Sequence, residues 1–306
     1  MAGVMGRKDV TGLIRNFLIR TDVIAGQACS HGDSHSLRGS GLPRDEVNTD
    51  TTQSLSSASI KRLIAMIRAT QPRTISMPDP APCPARALPD SFFDRDAQTL
   101  AKALLGKVIR HRHGNLWLAA RIIETEAYYL SDKGSHASLG FTEKRKALFL
   151  DGGHIYMYYA RGGDSLNFSA HGPGNAVLIK SAYPWLDAIS DANSLAQMQL
   201  NNPDANGNIR PDERLCAGQT LLCRALGLKV PHWDAKRFDP DRLYVEDCAI
   251  SVPQIIQCAR LGIPHGRDEH LPYRFVDAQF ARFCTRNPLR RGQVEGRDYF
   301  ILEQGS

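Results

Sequence analysis

A break in composition near residue 88 limits what this chain can fold into, because it decides which residues are able to build a core. Residues 31–59, HGDSHSLRGSGLPRDEVNTDTTQSLSSAS, are rich in Ser, Thr, Asp and Gly and nearly free of large apolar side chains. Such a stretch cannot bury enough surface to offset its ordering entropy. Residues 77–89, MPDPAPCPARALP, place five prolines in thirteen positions and read as an extended linker. Between the two, SIKRLIAMIRA (59–69) has the spacing of a short amphipathic helix, with Ile60, Leu63, Ile64 and Ile67 on one face. The opening residues alternate apolar and basic groups without a long apolar stretch, which is not the pattern of a secretory signal. No run approaches the roughly 20 apolar residues that span a bilayer. The expected organisation is a poorly ordered extension over residues 1–88 and one compact domain over residues 89–306, with Met77 as a second possible start.

Within the compact part, DAQTLAKALL (96–105) reads as a helix with Leu100, Leu104 and Leu105 on one face and Gly106 as its stop. KVIRHR, the turn-like residues 113–115 and LWLAARIIETEAY then read as a hairpin. HIYMYY (154–159), LNFSA and AVLIKSAY read as further strands, and YRFVDA as a late short one. Helices are expected over 185–200 and about 219–226, the second stopped by Gly227. Strands grouped around a few helices, without regular βαβ alternation, predict an α+β domain on a curved, mainly antiparallel sheet.

The formal charge is +6, but it is unevenly placed. Residues 1–76 hold 10 Lys+Arg against 6 Asp+Glu, a net of +4, so the remainder carries only +2. Locally, Arg282, Arg286, Arg290, Arg291 and Arg297 face the single acid Glu295 over sixteen residues. That segment is a phosphate-binding candidate, and a solvated basic face explains it equally well. The seven cysteines are odd in number and lack CxxC pairs, which argues against a disulfide framework and a zinc site. Cys216 and Cys223, seven apart, are expected as buried thiols on one helix face. A reducing compartment fits this usage.

Three segments are chemically suggestive. In ETEAY, strand alternation puts Glu124, Glu126 and Tyr128 on one face, the two acids roughly 7 Å apart. Exposed acids on a sheet edge account for this pattern as well as a site does. In HIYMYY, His154, Tyr156 and Tyr158 share a face opposite Ile155, Met157 and Tyr159, which suits either core packing or a stacking platform for a flat base. The turn AlaArgGlyGlyAsp (160–164) permits positive φ and close backbone approach. It is not a phosphate loop, since neither GxxxxGK[ST] nor GxGxxG occurs.

Taken in order, FFDRDAQTLAKALLGKVIRH, ARIIETEAY, KGSHAS, TEKRKALF, GGHIYMYY, LN, NAVLIKSAYP, LCAGQTLLCRALGL, ARLGI and LPYRF resemble the alkyladenine (methylpurine) DNA glycosylase family over roughly residues 91–276. The resemblance implies a monofunctional hydrolase of base excision repair that needs no metal or cofactor. It implies that damaged purines are flipped from double-stranded DNA and their N-glycosidic bonds hydrolysed. By position it implies Glu126 as the general base, Tyr128 and Tyr158 as walls of the base pocket, and His136 and Asn167 at the base edge. Thr142, Lys144 and Arg145 overlie the family's basic loop near phosphate.

Two departures accompany it. Lys180 stands where the family has an arginine, keeping the charge and losing the planar fork. The hairpin tip around Arg161 and Gly162 is one residue shorter and lacks the family's wedging tyrosine; either Arg161 stacks in the vacated gap or nothing does. The expected protein is a monomer without membrane attachment, cytoplasmic if bacterial and otherwise nuclear. Its rivals are a lyase or nuclease on the same basic surface and a catalytically silent damaged-DNA binder.

Overall fold

The hairpin expected after Gly106 is the spine of the domain. The computed structural model describes residues 87–160 and 162–304. The expected helix at 59–69, the linker up to residue 86, Met77 and Arg161 lie outside those residues. β1 (Val108–His113) and β2 (Leu116–Tyr128) pair with His113 opposite Leu116, which leaves a two-residue turn. Then follow β3 (Ile155–Ala160), β4 (Gly163–Ser169) and β5 (Ala176–Pro184). The later strands are β6 (Leu243–Glu246), β7 (Gln254–Cys258), β8 (Arg274–Asp277) and β9 (Tyr299–Glu303). They form one sheet in the order β3-β4-β5-β2-β8-β7-β9, with β1 joining β2 to β6, and every ladder is antiparallel. With a few helices beside it, this is the α+β domain that the pattern predicts.

The helices are α1 (Asp90–Phe93), α2 (Ala97–Leu104), α3 (Ala192–Asn201), α4 (Asp212–Leu215), α5 (Gln219–Leu226) and α6 (Val230–Trp233). Asp96 caps α2 by accepting from the Gln98 and Thr99 amides, and Gly227 ends α5 in the left-handed conformation at φ 70°. α2 and α5 supply Leu100, Leu104, Leu222 and Leu226 to the main core, where they meet Ile122, Leu166, Phe168 and Ile179 of the sheet. Full burial of such a side chain contributes about 1.5–3 kcal/mol. Two smaller apolar clusters, around Ile123, Ile256 and Val276 and around Leu148, Tyr156 and Ala176, lie apart from this core.

Three local expectations are corrected. Residues 185–191 are loop, and α3 starts only after Asp191, whose carboxylate accepts from the Asn193 and Ser194 amides. Asp187 likewise folds onto the amides of Ile189 and Ser190, a local alternative to helix. Cys216 and Cys223 are both buried but share no helix: Cys216 ends α4, and Gly218, at φ 136°, separates it from α5. The strand expected over 154–159 starts one residue later, at Ile155, and leaves His154 half-buried just before it with its Nδ1 2.8 Å from the Asp151 carbonyl.

Candidate active site

Sheet register assembles the site from distant segments. Tyr156 stands opposite Asn167, Asn167 opposite Leu178, Leu178 opposite Glu126, and Glu126 opposite Arg274. Directly opposed residues point to the same face of a pleated sheet, so this row crosses β3, β4, β5, β2 and β8 on one side. Two register shifts interrupt the pairing of β2 with β5: Glu124 faces Ser181 while Thr125 faces Ile179, leaving Lys180 without a partner residue. A bulge of this kind re-aims a side chain, and here the lysine ammonium reaches Glu126, 3.3 Å from Oε1. On the reverse face Thr125 donates to the Ala101 carbonyl at 2.9 Å and fastens the strand to α2.

Above the row lies a cleft of about 630 Å³ whose walls include Tyr128, His136, Tyr156, Tyr158, Asn167 and Lys180. Residues 217–221 at the start of α5, residues 261–264 and Thr285 are also part of the lining. The His136 ring packs edge-on against Tyr158 with centroids 4.4 Å apart, and its Nδ1 lies 2.9 Å from the Tyr156 hydroxyl. Partial desolvation there, with Arg145 and Arg267 nearby, lowers the His136 pKa and favours a neutral ring. Asn167 donates its amide to the Tyr156 carbonyl at 3.1 Å, which fixes its orientation.

Glu126 is fully buried just behind the cleft wall. Its Oε1 accepts from the Leu261 amide at 3.0 Å and faces Lys180; its Oε2 accepts from the Tyr128 hydroxyl at 2.7 Å. Burial pushes its pKa up, but Lys180, the Tyr128 hydroxyl, the Leu261 amide and Arg274 together outweigh that and hold it below the ordinary value. An ionised carboxylate has about four acceptor sites. With two engaged on Oε1 and one on Oε2, one acceptor direction remains on Oε2. The Tyr128 hydroxyl, buried and donating to this carboxylate, titrates well above its usual range.

Glu124, the other acid of ETEAY, is also fully buried, so the exposed-edge reading fails for both. Arg274 Nε is 2.6 Å from its Oε1, and Ser181 and the Thr285 amide bind its Oε2. Arg274 is itself held by the Arg286 carbonyl at 2.6 Å. Thr142, Lys144 and Arg145 line an adjoining cleft that shares His136, Tyr156 and Tyr158, which puts the basic loop beside the pocket. Gly162 has φ 80° with open space around it, at the hairpin tip where Ala160 pairs with Gly163. Arg282, Arg286, Arg290, Arg291 and Arg297 are all exposed, and Arg297 is paired with Asp298 at 2.7 Å. Among the described residues no group of three or more His, Cys, Asp or Glu is placed to hold a metal ion, and no helix is long and apolar enough to cross a membrane.

Sequence reasoning missed the Leu261 amide and Arg274 as parts of the site. ARLGI and LPYRF marked their segments, but a backbone donor and a buried guanidinium leave no pattern of their own.

The family model for methylpurine-DNA glycosylase matches residues 91–280. A protein of Pseudomonas savastanoi pv. phaseolicola named "Putative 3-methyladenine DNA glycosylase" is 80% identical over 220 residues, 72% of this chain and 99% of that protein. Its namesake in Pseudomonas aeruginosa PAO1 is 77% identical over 218 residues, 71% of this chain and 91% of that one. Another in Methanocella arvoryzae is 32% identical over 207 residues, 66% and 97% of the two chains. The chain is therefore a DNA glycosylase, a hydrolase of N-glycosidic bonds. It belongs to the methylpurine-DNA glycosylase family.

Proposed function

We propose that this enzyme flips alkylated or deaminated purines, such as 3-methyladenine, 7-methylguanine and hypoxanthine, out of duplex DNA and hydrolyses the N-glycosidic bond with a water activated by Glu126. The observation that carries the proposal is a buried carboxylate held ionised by three donors, Lys180, Tyr128 and the Leu261 amide, all of whose residues line the cleft. Water gives its proton to Glu126 as its oxygen bonds to C1′. The electrons of the breaking C1′–N bond stay with the base, leaving an abasic site. A cationic alkylpurine departs neutral, whereas a neutral purine must collect a proton, so cationic lesions are intrinsically easier.

Unstacking costs a few kcal/mol. Tyr128 and Tyr158 offset it by enclosing the flipped base, and His136 and Asn167 meet its edge. Thr142, Lys144, Arg145 and the exposed arginines of residues 282–297 bind phosphates, and Lys180 adds a cation beside the reacting sugar. Arg161, with Gly162 at the tip, fills the gap that the base leaves. In this reading the catalytic domain is residues 89–306, acting in the cytoplasm as a monomer without a cofactor.

The test is purine release from duplexes carrying 7-methylguanine or hypoxanthine, with borohydride present in a parallel reaction. Release of free base without a trapped protein–DNA adduct is expected. A covalent adduct, or strand cleavage without base release, would overturn the reading.

A further inference from the structure

Arg260 is a buried cation with an unusual set of neighbours. Its side chain is fully shielded from solvent, and Nη1 donates to the Ala127 carbonyl at 3.0 Å and to Asp132 at 2.8 Å. Nε and Nη2 are buried and find no hydrogen-bond acceptor among the described residues. Aromatic faces stand there instead: Cζ lies 4.5 Å from the centre of the Tyr128 ring and 5.4 Å from that of Tyr273. Asp132 also accepts from the Tyr129 amide at 3.0 Å, so the counter-charge is fixed in place. Tyr128 lines the cleft and Arg260 does not, and because the guanidinium already covers one face of the Tyr128 ring, a base stacked on that ring takes the opposite face.

This arrangement has an electrostatic consequence. The face of an aromatic ring attracts cations through its quadrupole. A guanidinium already seated on one face draws on the same π density and repels a second cation across the ring. A base stacked about 3.5 Å above Tyr128 would lie roughly 8 Å from Arg260, through a buried ring that salt screens poorly. We propose that Arg260 sets the charge preference of the base pocket: packed behind Tyr128 and partly balanced by Asp132, it offsets the attraction of that ring for cationic purines, so that neutral lesions compete for the site. It is a positioning and specificity residue, acting through Tyr128. It also anchors residue 261, whose amide binds Glu126, so its loss slows every substrate to some degree. Only the charge role alters one lesion relative to another.

The inference rests on the purine-excision reading, and its test separates the two. Two duplexes differ in one nucleotide, cationic 7-methyldeoxyguanosine or neutral deoxyinosine. Single-turnover release is measured for each, and affinity for each is measured with Glu126→Gln as the background. Arg260→Gln should raise the cationic-to-neutral ratio about tenfold in both readouts, since one charge at this separation and an effective dielectric near 20 gives roughly thirtyfold and Asp132 cancels part of it. Asp132→Asn, which strips Arg260 of its counter-charge, should move the ratio the other way. Arg260→Lys, which keeps the charge and loses the fork, should stay within about twofold of wild type. An unchanged ratio in Arg260→Gln, or a shift in Arg260→Lys equal to that in Arg260→Gln, would overturn the inference. If the wild type releases neither base, the proposed function fails, while the affinity ratio still decides the role of Arg260.

Discussion

Glu124 and Glu126 are two residues apart on the same strand and the same sheet face, both fully buried, and each engaged by three donors. Neither burial nor the number of donors separates them; their neighbours do. Arg274 and Ser181, the side chains that hold Glu124, are buried and lie outside the cleft lining, and Arg274 is itself tied to the Arg286 carbonyl. The side chains that hold Glu126, Lys180 and Tyr128, are cleft walls. One carboxylate thus ties β2, β5 and β8 together, and the other stands one layer behind a substrate-sized opening. The general lesson is that a buried acid is assigned a role by where its partners lead, to more protein or to a cavity.

The largest effect should come from breaking the structural half of this pair. Glu124→Gln leaves Arg274 buried without its counter-charge, and losing one partner of a buried pair costs about 3–5 kcal/mol. Urea unfolding should show that loss, with Glu126→Gln destabilising far less; equal losses would erase the distinction. Next comes the acid limb of the pH–rate profile. Because the Glu126 pKa is held below its ordinary value, the base form persists into mild acid and activity falls only as pH drops through that lowered value. Lys180→Met removes the largest of the lowering influences, so the pKa should rise and the acid limb move to higher pH. A limb that stays put would detach Lys180 from Glu126. The smallest effect belongs to the surface. Arg290→Ala with Arg291→Ala should weaken duplex binding and reduce the slope of log K against log[salt] by about 0.9 for each phosphate no longer neutralised, leaving base release from bound duplex unchanged.

What the sequence made legible follows the range of the interactions involved. Strand alternation alone put Glu124, Glu126 and Tyr128 on one face, and Tyr156 with Tyr158 on another, because that periodicity is local. The helix stop at Gly227 was equally local. The row from Tyr156 to Arg274 was not, since it depends on register across five strands drawn from residues 126 to 274. The bulge that turns Lys180 onto Glu126 is a mismatch between two strands and has no signature in either one. For the same reason pattern alone left the two acids indistinguishable from an exposed edge, and only the family's ordered motifs singled out Glu126. The helix expected from residue 185 failed because Asp187 and Asp191 capture nearby amides that a helix would have used.

The central claim, that Glu126 is the general base, is tested most directly by single-turnover base release from a lesion-bearing duplex with wild type and Glu126→Gln, alongside duplex affinity for both. Bound duplex with release slowed at least about 100-fold is the expected result, since a positioned base is worth 10²–10⁴ in rate. Equal release rates at equal occupancy would contradict it.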